Sequence, residues 1–208
     1  MEMSSSRRIW IPGMIAGLIA AVLLIAGVLH PGAGPAGGVR LPHPHGGEGS
    51  EEWFKRMGTA VPFLGAASFS WFWVRRKRKS PSAPVRQGAR LLSKLHPFLG
   101  WAALALIAVH GTYFLLNKPG DSHIYSGLAA LVLLAALAAY GVIIRKVRNK
   151  WTRSVHRSLA LLWVPALLLH AGGSAVLAVA VTLAAGGLVW LLERAAGPDG
   201  RTSGPKSR

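Results

Sequence analysis

Two stretches of this chain carry histidines at the same spacing. HPFLGWAALALIAVH runs from His96 to His110, and HRSLALLWVPALLLH runs from His156 to His170. In both, the two rings are fourteen positions apart. A neutral imidazole offers one nitrogen lone pair to a transition metal and titrates close to neutral pH. The chain has no cysteine, so thiolate metal sites, iron–sulfur clusters and disulfides are excluded. Metal ligation through imidazole nitrogen is therefore the chemistry these pairs suit. Plain interfacial placement, or hydrogen bonding between helices, is the other use for such rings.

The elements that carry these rings read as membrane helices. The 208 residues are 51% hydrophobic, and their 24 Lys and Arg far outnumber the 7 Asp and Glu. Charge is confined to short blocks between apolar runs, which argues for an all-α polytopic membrane protein. A hydrocarbon layer about 30 Å thick needs roughly 20 apolar helical residues. Six segments qualify: Ile9–Leu29, Met57–Val74, Leu95–Leu116, Ile124–Ile144, Val155–Ala171 and Ala175–Leu192. They lack the alternation of barrel strands. The first run is longer than the roughly 15 apolar residues of a signal peptide, so a retained helix is expected, although the PGAGPAGG that follows resembles a cleavage region.

The basic residues set an orientation. With six crossings, 1–8, 75–94, 145–157 and 193–208 share a side and hold 20 of the Lys and Arg. The opposite side holds Arg40, Lys55, Arg56 and Lys118. Both termini are then expected in the cytoplasm, with RRKRK at 75–79 as a stop-transfer anchor and lipid as the principal partner. The net charge of +17 also suits nucleic acid, but no recognition module accompanies it. Residues 1–8 read as a cytoplasmic N-terminus, 9–192 as a six-helix bundle and 193–208 as a disordered tail. The polar residues within the apolar segments are too few to mark a transport path.

Fourteen residues of helix rise about 21 Å and fall about 40° short of four full turns. Each histidine pair thus projects from nearly one face, with an inner and an outer ring. The third and fifth helices run in the same direction, which sets His96 level with His156 and His110 level with His170. If the faces oppose, two imidazole pairs are stacked along the membrane normal, an arrangement suited to the axial ligands of b-type haems. The second ring nitrogen then calls for a carbonyl or hydroxyl that the sequence does not identify. Pro97 is expected in a first helical turn and Pro165 at a kink. Gly100, Gly111, Ala102 and Ala103 allow close approach of a macrocycle or of another helix.

Six apolar segments with equally spaced histidines on the third and fifth resemble the ferric-reductase-like transmembrane domain. That domain also occurs in NADPH oxidases and in the haem subunit of a bacterial methionine sulfoxide reductase system. The resemblance spans about residues 10–192 and rests on four histidines and topology. It implies two non-covalent b haems, one iron held by His96 and His156, the other by His110 and His170. It also implies electron transfer across what would be a bacterial plasma membrane. The large members carry a C-terminal domain for FAD and NAD(P)H, which is not found after the last apolar segment here. A separate flavoprotein or a quinol is therefore the expected donor.

Other residues are weaker candidates. Trp101 and Trp163 lie on the ligand helices and could pack on a cofactor or simply fill space. Arg153 and Arg157, with Arg90 and Lys94, flank the inner pair, where they suit haem propionates or membrane anchoring. His30, His43, His45 and His123 fall outside, where LPHPHGGEGSEE could hold a metal ion as substrate or be a plain Gly/Pro loop. Two other readings share these features: a haem-bearing anchor for a quinone-linked oxidoreductase, and a cofactor-free scaffold. The chain thus reads as an oxidoreductase or electron-transfer subunit without its own flavin domain.

Overall fold

The computed structural model describes residues 2–30, 48–121, 123–147 and 149–196. They form α1 (Glu2–Leu29), α2 (Glu48–Val74), a 3-10 segment (Arg75–Lys79), α3 (Ala83–Asn117), α4 (His123–Lys146), α5 (Lys150–Ala171) and α6 (Gly173–Ala195). No strand occurs among the described residues. Local chemistry sets several of the ends. Asn149 caps α5 by accepting the Trp151 N–H at 3.0 Å. Pro84 sits in the first turn of α3, where its missing N–H costs nothing. Gly172 joins α5 to α6 at φ 53°, a conformation that disfavours any side chain.

Five helices are long and apolar enough to cross a membrane: α1 from Arg8, α3, α4, α5 and α6. Their outer faces carry large exposed apolar residues, among them Leu18, Leu162, Leu183 and Leu191. In water, continuous apolar surface of this kind drives association, whereas in lipid it is the expected exterior. The chain is an integral membrane protein. The expected second span, Met57–Val74, is helical but falls short in hydropathy. Its helix has 27 residues, enough for about 40 Å, but carries Gly58, Thr59, Gly65, Ser68 and Ser70 among the apolar side chains.

Several boundaries differ from the sequence expectation. Residues 2–8 continue α1 rather than forming a separate terminus. α3 begins at Ala83, twelve residues before the expected Leu95, so Arg86, Arg90 and Lys94 lie on a helix and not in a loop. The extension is amphipathic, and its Val85 and Ala89 are buried. Pro97 is consequently in mid-helix, whereas Pro165 lies inside α5 as expected. Of the supposed disordered tail, 193–195 complete α6 and 197–208 lie outside the described residues, as does PGAGPAGG.

The helices α2, α3, α4 and α5 make an antiparallel four-helix square, each packed on its neighbours in the order α2–α3–α4–α5–α2. Across the diagonals, no Cα of α3 comes within 8 Å of α5, nor any of α2 within 8 Å of α4. Short connections between successive helices favour this up-and-down arrangement. α1 lies outside the α4–α5 edge, and α6 outside α2 and α5. The core includes Ala103, Ile107, Ala130, Leu133, Leu159 and Trp163.

Tyr140 fixes α1 in place. Pro12 interrupts the α1 hydrogen-bond ladder. The Tyr140 hydroxyl inserts into the next rung, donating to the Ile9 carbonyl and accepting from Gly13 N–H at 3.1 Å. A Cβ on Gly13 would lie 2.5 Å from Val155 Cγ1, so glycine is what allows this close approach. Tyr140→Phe should remove both bonds that tie α4 to α1 and destabilise the bundle by about 1–2 kcal/mol, read as a lower melting temperature in detergent.

At the opposite end, Lys118 closes on Glu51 at 2.5 Å and Lys55 on the same carboxylate at 2.8 Å. Phe54 and Tyr113 stack beside them at 3.8 Å. Hydrogen bonds from Lys118 and then Lys55 hold the Glu51 carboxyl down at about 2, against 4.5 ordinarily. The folded-state value is the lower one, so this contribution is complete above the ordinary carboxylate range. It disappears as pH falls from about 4.5 towards 2. Glu51→Gln should therefore flatten the decline in melting temperature over that acid window, leaving the neutral-pH value only slightly reduced.

Candidate functional site

The diagonal between α3 and α5 is bridged by the four histidines. His96 faces His156 with ring centres 6.3 Å apart and planes crossed at 77°. His110 faces His170, also at 6.3 Å, with planes at 81°. The two levels are separated by four helical turns, about 21 Å. Helix direction puts the first pair at the basic end of the bundle, beside Arg75–Lys79, and the second at the end holding Lys118 and Glu51.

Every one of these rings is held through Nδ1. His96 Nδ1–H donates to the Ser68 carbonyl at 3.0 Å, with the Ser68 hydroxyl at 2.9 Å. His110 Nδ1–H donates to the Phe54 carbonyl at 2.7 Å. His156 Nδ1–H donates to the Leu137 carbonyl at 3.1 Å. His170 Nδ1–H donates to the Ser126 hydroxyl at 3.1 Å, and that hydroxyl donates onward to the His123 carbonyl at 3.0 Å. The His123 backbone is also within reach of the His170 ring. A carbonyl only accepts, so the proton of a neutral ring sits on Nδ1 and the lone pair is on Nε2. No Nε2 is hydrogen-bonded among the described residues.

The acceptors repeat at the spacing of the donors. On α2, carbonyls 54 and 68 serve the α3 rings. On α4, residues 123 and 137 serve the α5 rings. Halfway along, Trp163 Nε1 donates to the Ala130 carbonyl at 3.1 Å. Residues 123, 130 and 137 of α4 thus meet 170, 163 and 156 of α5 in a seven-residue register.

Trp163 is buried and lies against Gly65 of α2, midway between the two levels. It shares the face of His156 and His170, being seven residues from each, about 20° off that line. Trp101 is not brought to the pairs. Five residues separate it from His96, turning it about 140° away, and it is 53% exposed.

Arg153, Arg157, Arg90 and Lys94 are exposed along the ends of α5 and α3 that carry His156 and His96. Among the described residues none of them meets a carboxylate within 4.0 Å. The RRKRK segment is tied down by an ion pair from Lys77 to Glu193 and by Arg78 lying 4.6 Å over the Trp71 ring.

The other four histidines are not brought together among the described residues. His123 Nδ1 contacts Asp121 at 3.0 Å, and the His30 ring lies 6.3 Å from Tyr125. His43 and His45 lie outside the described residues. No group of three or more His, Cys, Asp or Glu converges among the described residues. A groove of about 1060 Å³ runs between α2, α3, α5 and α6, but none of the four histidines lines it.

Sequence reasoning missed Ser68, Ser126 and the carbonyls of Phe54 and Leu137. Only the serines carry a side-chain signal, a hydroxyl within an apolar run; a carbonyl acceptor has none. Comparison with protein-family models, with curated proteins and with solved structures gives no match.

Proposed function

We propose that this chain is a membrane electron-transfer protein whose four histidines hold two b-type haems. The carrying observation is the 6.3 Å between ring centres in both pairs. A metal–imidazole bond is about 2 Å long, and an imidazole nitrogen lies roughly 1.15 Å from its ring centre, as bonds near 1.35 Å require. One ion between two Nε2 atoms therefore sets the centres about 6.3 Å apart. Two protein ligands do not make a closed metal site, and a tetrapyrrole would supply the remaining donors. Bound there, haem provides reversible one-electron iron chemistry at two depths.

The residues present fit that group. Each ring offers the Nε2 lone pair and is oriented by an Nδ1 hydrogen bond, as metal-ligating histidines usually are. The diagonal separation of α3 and α5 leaves the pairs as the bridge between them. Trp163 keeps the levels apart with a packed apolar ring. Arg153, Arg157, Arg90 and Lys94 provide cations beside the inner pair that meet no carboxylate among the described residues, suited to propionate carboxylates.

On this reading all six helices cross the membrane with both termini cytoplasmic. What supports α2 as a span is its length and its place in the square; its polar and small residues serve the rings rather than lipid. Electrons would enter from a separate flavoprotein or quinol and leave at the outer level.

The purified protein should show Soret and α/β bands, and a pyridine haemochrome assay should give about two haems per chain. A colourless, haem-free protein would overturn the reading and favour a scaffold. His96→Ala and His110→Ala should each bring the ratio down to about one; full retention in both would refute the ligand assignment. The crossed planes of 77° and 81° should give strongly anisotropic low-spin ferric signals in electron paramagnetic resonance. The rhombic signal of near-parallel rings would contradict the arrangement.

A further inference from the structure

Behind three of the four rings stands a glycine, always four residues after the backbone position that serves the ring. Gly58 follows Phe54 behind His110, Gly127 follows His123 behind His170, and Gly141 follows Leu137 behind His156. In a helix, residue i+4 directs its N–H at carbonyl i, so its side chain stands beside that oxygen. A ring reaching for the second lone pair of the same oxygen needs that space. A Cβ on Gly58 would lie 2.5 Å from His110 Cε1 and 2.7 Å from its Nδ1. On Gly127 it would lie 2.8 Å from His170 Cε1, and on Gly141 at an ordinary 3.8 Å from His156 Cε1. At the fourth position α2 has Phe72, and His96 is held by the Ser68 hydroxyl as well as the carbonyl.

We propose that Gly58 and Gly127 are positioning residues that fix the planes of His110 and His170, making the outer pair the more tightly specified of the two. The glycines touch the imidazoles and act through them. Gly141 has room for a methyl group, so the inner pair tolerates the substitution that the outer pair does not. Two helices, α2 and α4, contribute one tight glycine each to the same level. The idea rests on the haem reading, and the test separates the two.

Gly58→Ala, Gly127→Ala, Gly141→Ala and, as a control on α6, Gly186→Ala are purified with the parent protein. Haem content, the paramagnetic resonance signals and the two midpoint potentials are then recorded. In Gly58→Ala and Gly127→Ala one haem should be lost, taking the ratio from about two to about one, or one signal and one potential should shift while the other stays. The haem that stays is the internal check on folding, and it should be the one that His96→Ala removes. Gly141→Ala and Gly186→Ala should match the parent. A haem-free parent would end the functional reading itself. A two-haem parent with Gly58→Ala and Gly127→Ala unchanged, or with both haems lost together, would overturn the positioning role alone. If Gly58→Ala does not accumulate, Gly127→Ala decides the same question from the other helix.

Discussion

A hydrogen bond from each imidazole Nδ1–H to α2 or α4 is the constraint on which the arrangement depends. In hydrocarbon an unpaired N–H costs several kcal/mol, because no water is present to take it. Within a helical bundle, few acceptors are available that are not already engaged. A helix carbonyl has two lone pairs, of which the helix uses one. By placing carbonyls 54, 68 and 137 and the Ser126 hydroxyl opposite the rings, the bundle satisfies Nδ1 and leaves Nε2 as the uncommitted base. The same bond sets tautomer, ring plane and reach together, so these features do not vary independently.

The spacing of fourteen follows from how helices pack in such a square. A straight α-helix repeats every 3.6 residues, so fourteen positions drift by about 40°. Helices that wrap around each other with a left-handed supercoil shift to a repeat of 3.5, and fourteen then becomes two whole heptads. The contacts between α4 and α5 keep this register through three levels: His123 with His170, Ala130 with Trp163, and Leu137 with His156. The middle level is therefore as defined as the outer two. Trp163 occupies it because a seven-residue step from either histidine arrives at the same seam, and Gly65 opens α2 to admit the indole.

Much of this was legible in the residues. The apolar runs located six helices, and the paired spacing on two parallel helices identified the four rings and their levels. Less visible were features that depend on partners. The N-terminal extension of α3 carries Arg86, Arg90 and Lys94 on an amphipathic surface, which a search for unbroken apolar runs passes over. Trp101 and Trp163 look alike in sequence, and only the angle around each helix separates an exposed indole from a buried one. The acceptors were the hardest to see. A backbone carbonyl has no residue type, and a glycine that clears space for a ring looks like any small residue of a membrane helix.

The weak hydropathy of α2 has the same origin. Hydropathy averages over all faces of a helix, although lipid contacts only one. A helix that supplies acceptors to two rings must carry small or hydroxylated residues along its inner face, and Gly58, Gly65 and Ser68 are those residues here. Replacing them with leucine would raise the average and fill the space into which His110, Trp163 and His96 project. α4 meets the same demand with the carbonyls of Ala130 and Leu137 and a single hydroxyl, Ser126, near its start, so its composition remains strongly apolar. The two helices do equivalent work on opposite corners of the square. α2, which spreads glycines and serines along that face, is the one with the weaker hydropathy.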